Sequence, residues 1–110
     1  MDKKTLKIMK SFVKKLGRKF KIDKVILFGS RARGDNFVNS DFDIIVVSDD
    51  FEGQHFLDRI PKVLELWNFP YDLEPLCYTT KEFVKAKQSS LIKLALKEGV
   101  VFKLKNKGKI

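Results

Sequence analysis

One cysteine in 110 residues leaves Cys77 no internal partner, so no disulfide framework holds this chain together. The sequence also lacks a leader-like N-terminus and any long uncharged apolar run, which makes a soluble, cytoplasmic protein the expectation. Repeats, linkers and low-complexity stretches are missing. The chain therefore reads as one domain, residues 1–104, followed by a basic tail, residues 105–110. Histidine occurs once, and His55, in a polar loop beside Gln54, reads as a surface residue rather than a base or ligand. Acidic residues are scarce: 14 Asp and Glu against 23 Lys and Arg leave a net charge of +9. Apolar residues are not scarce, and a hydrophobic content of 44% supports a real core and excludes a disordered chain.

The positive charge is unevenly placed. Lys3, Lys4, Lys7, Lys10, Lys14, Lys15, Arg18, Lys19 and Lys21 crowd the first segment, and Lys97, Lys103, Lys105, Lys107 and Lys109 load the end. Such a surface attracts nucleotides, nucleic acid or an acidic partner. The aromatic residues among these lysines, Phe12 and Phe20, fall on an apolar stripe and not on an exposed stacking platform. The charge reads first as a solvated helix face and supports a nucleic-acid partner only weakly.

Leu6, Met9, Phe12, Val13, Leu16 and Phe20 recur at helical spacing and predict an amphipathic helix over residues 3–19, with Gly17 marking early fraying. Two nearly continuous apolar runs, Lys24 to Phe28 and Phe42 to Ser48, predict strands covered on both faces. The link between them is too short for a parallel crossover, so an antiparallel pair is expected, with Ser30 beside Asp41. A second helix is expected from Arg59 to Trp67, capped by Asp58, with Leu57, Ile60, Leu64 and Trp67 as its buried stripe. Trp67 itself reads as core or as a partner contact. Tyr71 to Tyr78 predicts a third strand in which Pro75 demands an edge position or a bulge, with Cys77 as a buried, inert thiol. Thr79 to Glu82 is a capping box, Ser89-Ser90 divides the helical region that follows, Gly99 ends it, and Val100 to Leu104 predicts a short fourth strand. The order α-β-β-α-β-α-β specifies an α/β (α+β) fold: a mixed sheet of about four strands with about three or four helices.

Chemistry concentrates in residues 29–43. Gly29-Ser30 stands at the end of the first strand and opens a turn of helix, where backbone N–H groups can hold a phosphate. Asp41 and Asp43, spaced i and i+2 at the mouth of the second strand, point the same way and can share a metal. Triphosphate and metal together need a further carboxylate from a neighbouring strand. Asp72 and Glu74 are both candidates; Glu74 is favoured by its longer reach and its deeper place in the strand.

The pattern Gly29-Ser30, Ala32-Arg33-Gly34 and Ser40-Asp41-Phe42-Asp43 resembles the signature of the DNA polymerase β-like nucleotidyltransferases. It is most similar to the stand-alone minimal nucleotidyltransferases, often the antitoxin half of pairs with HEPN-domain toxins. The resemblance implies triphosphate contacts from Gly29 and Ser30, with Ser40 and Arg33 in the same nucleotide-binding set. It also implies magnesium, two ions, held by Asp41 and Asp43. Glu74 would fill the place of a third carboxylate that is usually aspartate, while Arg31 falls at a variable position and is expected at the surface. The implied activity moves AMP from ATP to a hydroxyl. With no stretch left over for an acceptor-binding domain, the acceptor is expected from a partner, a second copy or an exposed surface; a protein partner is favoured, and the resemblance implies a cognate HEPN protein. Two alternatives stay open: a non-catalytic antitoxin that binds nucleotide and masks its partner, and an RNA-directed nucleotidyltransferase.

Overall fold

The structure, a computed structural model, describes residues 1–104; the expected tail at 105–110 lies outside the described residues. Helix α1 spans Lys3–Lys19, as its periodicity predicts, and Asp2 caps it by accepting a 2.7 Å hydrogen bond from the Thr5 amide. Gly17 does not fray the helix. It makes room, because a β-carbon there would collide with Leu104 Cδ1.

Four strands form one mixed sheet in the order β3-β2-β1-β4. Strands β1 (Ile22–Phe28) and β2 (Phe42–Ser48) pair antiparallel, as the short link between them requires. Strand β3 (Leu73–Tyr78) runs parallel to β2, and β4 (Val100–Phe102) lies antiparallel to β1 on the other side. Pro75 sits on the edge strand, where its missing N–H costs nothing to the ladder. Of the two alternatives it is the edge position that holds and not the bulge: the β2–β3 register runs unbroken from Phe42 opposite Leu73 to Val47 opposite Tyr78.

Side chains alternate across the sheet and divide the core in two. Val25, Leu27, Ile44 and Val46 pack under Met9, Phe12 and Leu16 of α1, with Phe51, Val63 and Trp67 completing that layer. Ile26, Ile45 and Val47 face the opposite way, against Phe83 of α4 (Thr80–Ala86) and Ile92 and Ala95 of α5 (Ser90–Glu98). Each such side chain contributes about 1.5–3 kcal/mol on burial, so both faces matter to stability. The Thr79–Glu82 capping box starts α4, and Ser89 caps α5, so the break at Ser89-Ser90 is real.

The segment between β2 and β3 departs most from the sequence reading. Helix α3 covers only Arg59–Leu64, and bonds from the amides of Leu66 and Trp67 to the carbonyls three residues back wind the chain on to Trp67. Asp58 makes no side-chain cap, because a 3-10 turn, Phe56–Asp58, runs straight into α3 and is capped instead by His55. The buried face is Arg59 and Val63, not the Leu57–Leu64 stripe; Leu57 is 62% exposed. Arg59 sets that rotation. Its guanidinium donates to Cys77 O at 3.1 Å, to Gln54 O, and to both carboxylate oxygens of Glu82. Trp67 packs against Phe12, Phe42 and Phe69 and is core.

Candidate active site

The antiparallel register sets Phe28, the last residue of β1, opposite Asp43, and the parallel register sets Asp43 opposite Glu74. Two strand pairings thus bring the turn after β1 and two carboxylates to one end of the sheet. Asp43 and Glu74 share the face of Ile45 and Leu76, and Asp41 lies one step before β2 on the same side. Asp72 precedes β3 and is exposed. Its carbonyl accepts from the Phe42 amide at 2.9 Å, while the Glu74 carboxyl, also exposed, hydrogen-bonds Asp41 and feels the charges of Asp43 and Asp72.

Charge crowding marks the same spot. Burial pushes the Asp43 carboxyl above its usual range, and the neighbouring Asp41 charge pushes it further. The Glu74 carboxyl is raised too, first by a hydrogen bond with Asp41 and then by the charge of Asp43. The Asp43 and Glu74 carboxylates thus gather negative charge at one point, which a cation bound there would relieve.

Helix α2 is a single turn, Ser30–Arg33, entered through Gly29 with φ 78° and ψ −160°, a region essentially reserved for glycine. A β-carbon at position 29 would stand 2.6 Å from Asp43 Oδ2. The turn therefore backs directly onto a site carboxylate. Gly29 meets Asp43, and the antiparallel register that sets Phe28 opposite Asp43 is the one from which Ser30 is expected beside Asp41.

Arg31 corrects the sequence reading. It is only 2% exposed, because its guanidinium lies over the rings of Phe42 and Tyr71 and donates to Ser40 O, Val38 O and Thr5 Oγ1. The signal was present in the two aromatic residues flanking the acidic positions, but nothing in sequence shows which basic residue they shelter. Arg33 instead joins Asp35 at 3.1 Å and Glu98 at 2.9 Å, tying α2 to the end of α5. Ser40 serves the loop: its Oγ accepts from the Phe37 amide at 2.8 Å.

A cavity of about 580 Å³ opens beside the carboxylates, with Asp43 and Glu74 on its wall and Phe28, Ile60, Pro75, Leu76 and Leu91 lining the rest. Ile60, expected only on the apolar stripe of the second helix, and Leu91, not singled out by the sequence, are thus site residues the sequence reading missed. Leu91 is legible only as an apolar residue off the buried Ile92–Ala95 face of α5. A larger groove of about 890 Å³ lies at the far ends of β1 and β2, beside Lys14, Arg18 and Lys21. Its three acids are already engaged, Asp50 by the Lys21 amide, Asp49 by Thr80 and Asp23 by Lys24, and it holds none of the carboxylates described above.

Residues 9–102 match the nucleotidyltransferase domain family. The chain belongs to that family. Two proteins of Methanocaldococcus jannaschii, each named as a candidate protein adenylyltransferase, are its relatives. One is 34% identical over 77 residues, covering 66% of this chain and 78% of the relative. The other is 46% identical over 61 residues, covering 53% of this chain and 59% of that relative. A crystal structure of a candidate nucleotidyltransferase from Sulfolobus solfataricus superposes with a TM-score of 0.65 at 26% identity, over 90% of this chain and 79% of that one. A likeness to the BolA domain of SufE1 from Arabidopsis thaliana, at 17% identity and TM-score 0.52, over 74% of this chain and 98% of that one, concerns the fold alone.

Nucleotidyltransferases of this family work on nucleoside triphosphates with a divalent metal, and the carboxylates of this one can be tested against that need. Among the described residues no three His, Cys, Asp or Glu side chains form a ready-made metal cage. Magnesium does not require one, since it takes one or two carboxylates and completes its shell with water and substrate phosphates. The donor set is all oxygen, and the mutual repulsion of Asp41, Asp43 and Glu74 is what a hard cation relieves. The residues fit. No helix among those described is long and apolar enough to cross a membrane.

Proposed function

We propose that this nucleotidyltransferase moves AMP from ATP to a hydroxyl presented by a partner protein. The observation that carries the reading is the contact of the Gly29 turn with Asp43, in register with Glu74 on the next strand. Gly29 and Ser30 hold the triphosphate through first-turn N–H groups that lack helical partners. Asp41, Asp43 and Glu74 hold magnesium, which when bound neutralises charge on the attacking and leaving oxygens.

The acceptor oxygen bonds to the α-phosphorus as the bond to the bridging oxygen breaks. Pyrophosphate leaves, and the acceptor proton passes to a site carboxylate. Glu74, which shares the cavity wall with Asp43 and stands on the edge strand, receives it in this reading. Arg33 supports the phosphates by exchanging one of its two surface ion pairs, which solvent screening keeps weak.

The names of the two relatives favour protein as the acceptor. The resemblance of residues 29–43 to minimal nucleotidyltransferases favours a HEPN-domain toxin as the partner and an antitoxin role for this chain. The test incubates the protein with labelled ATP, magnesium and the product of the adjacent gene. Label transfers to the partner, and the Asp41→Asn, Asp43→Asn double variant transfers none. A partner that is neutralised without label, and equally well by the double variant, would show masking instead of chemistry.

A further inference from the structure

We propose that Arg31 is a positioning residue whose buried guanidinium fixes the loop that delivers Asp41. The proposal rests on the functional reading above for its consequence and on geometry for its cause. Apart from Arg31, the loop from Gly34 to Asp41 is tied down near its start, by Asp35 to Arg33 and Ser30 O and by a 3.5 Å bond from Asn36 Nδ2 to Asp2 Oδ2. Phe37 and Val38 are each 81% exposed, so the loop tip gains almost nothing from apolar burial. Its internal bonds are local: Ser40 N to Phe37 O at 3.2 Å, Phe37 N to Ser40 Oγ at 2.8 Å, and Asn36 Nδ2 to Phe37 O at 3.0 Å.

Arg31 supplies the grip on the far end of the loop, at Val38 and Ser40. Nε and Nη2 both donate to Ser40 O, at 3.2 and 2.9 Å, and Nη2 also donates to Val38 O at 3.0 Å. The Ser40 carbonyl belongs to the peptide plane that carries the Asp41 amide, so holding that oxygen orients the backbone entering Asp41. On the far side of Asp41, the Phe42 ring lies 4.4 Å beneath the guanidinium carbon. The residues on both sides of Asp41 thus rest on one side chain. That side chain grows from α2, directly after Ser30, so it ties the glycine turn to the acidic strand.

Arg31 makes no ion pair among the described residues; its cation is balanced by carbonyl dipoles, Thr5 Oγ1 at 3.1 Å, and the faces of Phe42 and Tyr71. An apolar residue would fill a buried position at lower desolvation cost. What only a planar, multi-donor group provides is the simultaneous hold on two carbonyls, which lysine cannot reproduce.

The test compares wild type with Arg31→Met, which keeps the buried stem and removes every donor. Two readouts are taken: backbone amide exchange, and manganese affinity in the presence of ATP by electron paramagnetic resonance. Exchange at residues 35–41 is expected to rise at least about tenfold while β2 stays protected, and manganese affinity to fall about 10–100-fold, the usual cost of losing a group that orients a metal ligand. Arg31→Lys should resemble Arg31→Met, and millimolar guanidinium should restore part of the affinity of Arg31→Ala. A folded Arg31→Met with wild-type loop exchange or wild-type manganese affinity overturns the proposal. If Arg31→Met does not fold, Thr5→Val removes one anchor of the same guanidinium, and no change in either readout there overturns it as well. Wild type that binds no manganese with ATP sinks the functional reading instead, and loop exchange then decides the role of Arg31 by itself.

Discussion

Gly29 and Asp43 occupy adjoining space with no room for a methyl group between them: a β-carbon on Gly29 would lie 2.6 Å from Asp43 Oδ2. The nearest atom is the tip of a short side chain, so Gly29→Ala is accommodated by turning the carboxylate away, in addition to backbone strain of about 1–3 kcal/mol at φ 78°. The variant should remain folded with a lowered melting temperature and lose at least about tenfold in nucleotidyl transfer. Calorimetry and a transfer assay on the same preparation check the two halves.

Asp43→Asn should give the opposite pairing of effects. It removes one of three crowded acidic charges from a half-buried position, so the metal-free protein should gain about 0.5–2 kcal/mol while transfer is lost. Denaturant midpoints with and without magnesium test this. Magnesium should raise the midpoint of wild type and leave that of the variant nearly unchanged.

The Arg59–Glu82 pair predicts an acid-side loss of stability. The guanidinium holds the Glu82 carboxyl down to about 2, against its usual 4.5. A carboxyl lowered in the folded state stabilises fully above its unfolded value and loses that contribution as pH falls from 4.5 towards 2. Because the Glu82 side chain is 44% exposed, solvent screening reduces the effect to about 1–2 kcal/mol. Urea unfolding at pH 6 and pH 2.5 should show that part of the loss in wild type and not in Glu82→Gln.

Cys77 should be silent towards thiol reagents. Burial pushes its thiol up to about 12, so the reactive thiolate is almost absent at pH 8. Labelling with iodoacetamide should be at least about a hundredfold slower in native protein than in denaturant. Native labelling at the denatured rate would contradict the buried edge-strand position.

Most of the fold was legible because its signals are local. The α1 stripe, the two continuous apolar runs, the Thr79–Glu82 capping box and the break at Ser89-Ser90 each announce themselves within a few residues. The antiparallel pairing followed from the shortness of one link. The rotation of α3 was not legible, because Arg59 is chosen as the buried side by Glu82 and Cys77, both distant in sequence. Arg31 was hidden for the same reason, its partners Thr5, Ser40 and Tyr71 being spread along the chain. Asp41 and Asp43 could be read from spacing, and Glu74 only through the inference that a third strand lies beside them.

That third strand gives the site two different histories during folding. The Gly29 turn, Asp41 and Asp43 belong to two antiparallel strands joined by a short link, whose closure costs little chain entropy. Glu74 joins them only when the chain has passed through α3 and returned as a parallel strand, a slower, non-local pairing. A chain emerging during synthesis can thus assemble its Gly29–Asp43 corner before Glu74 has arrived on the wall of the cavity beside it.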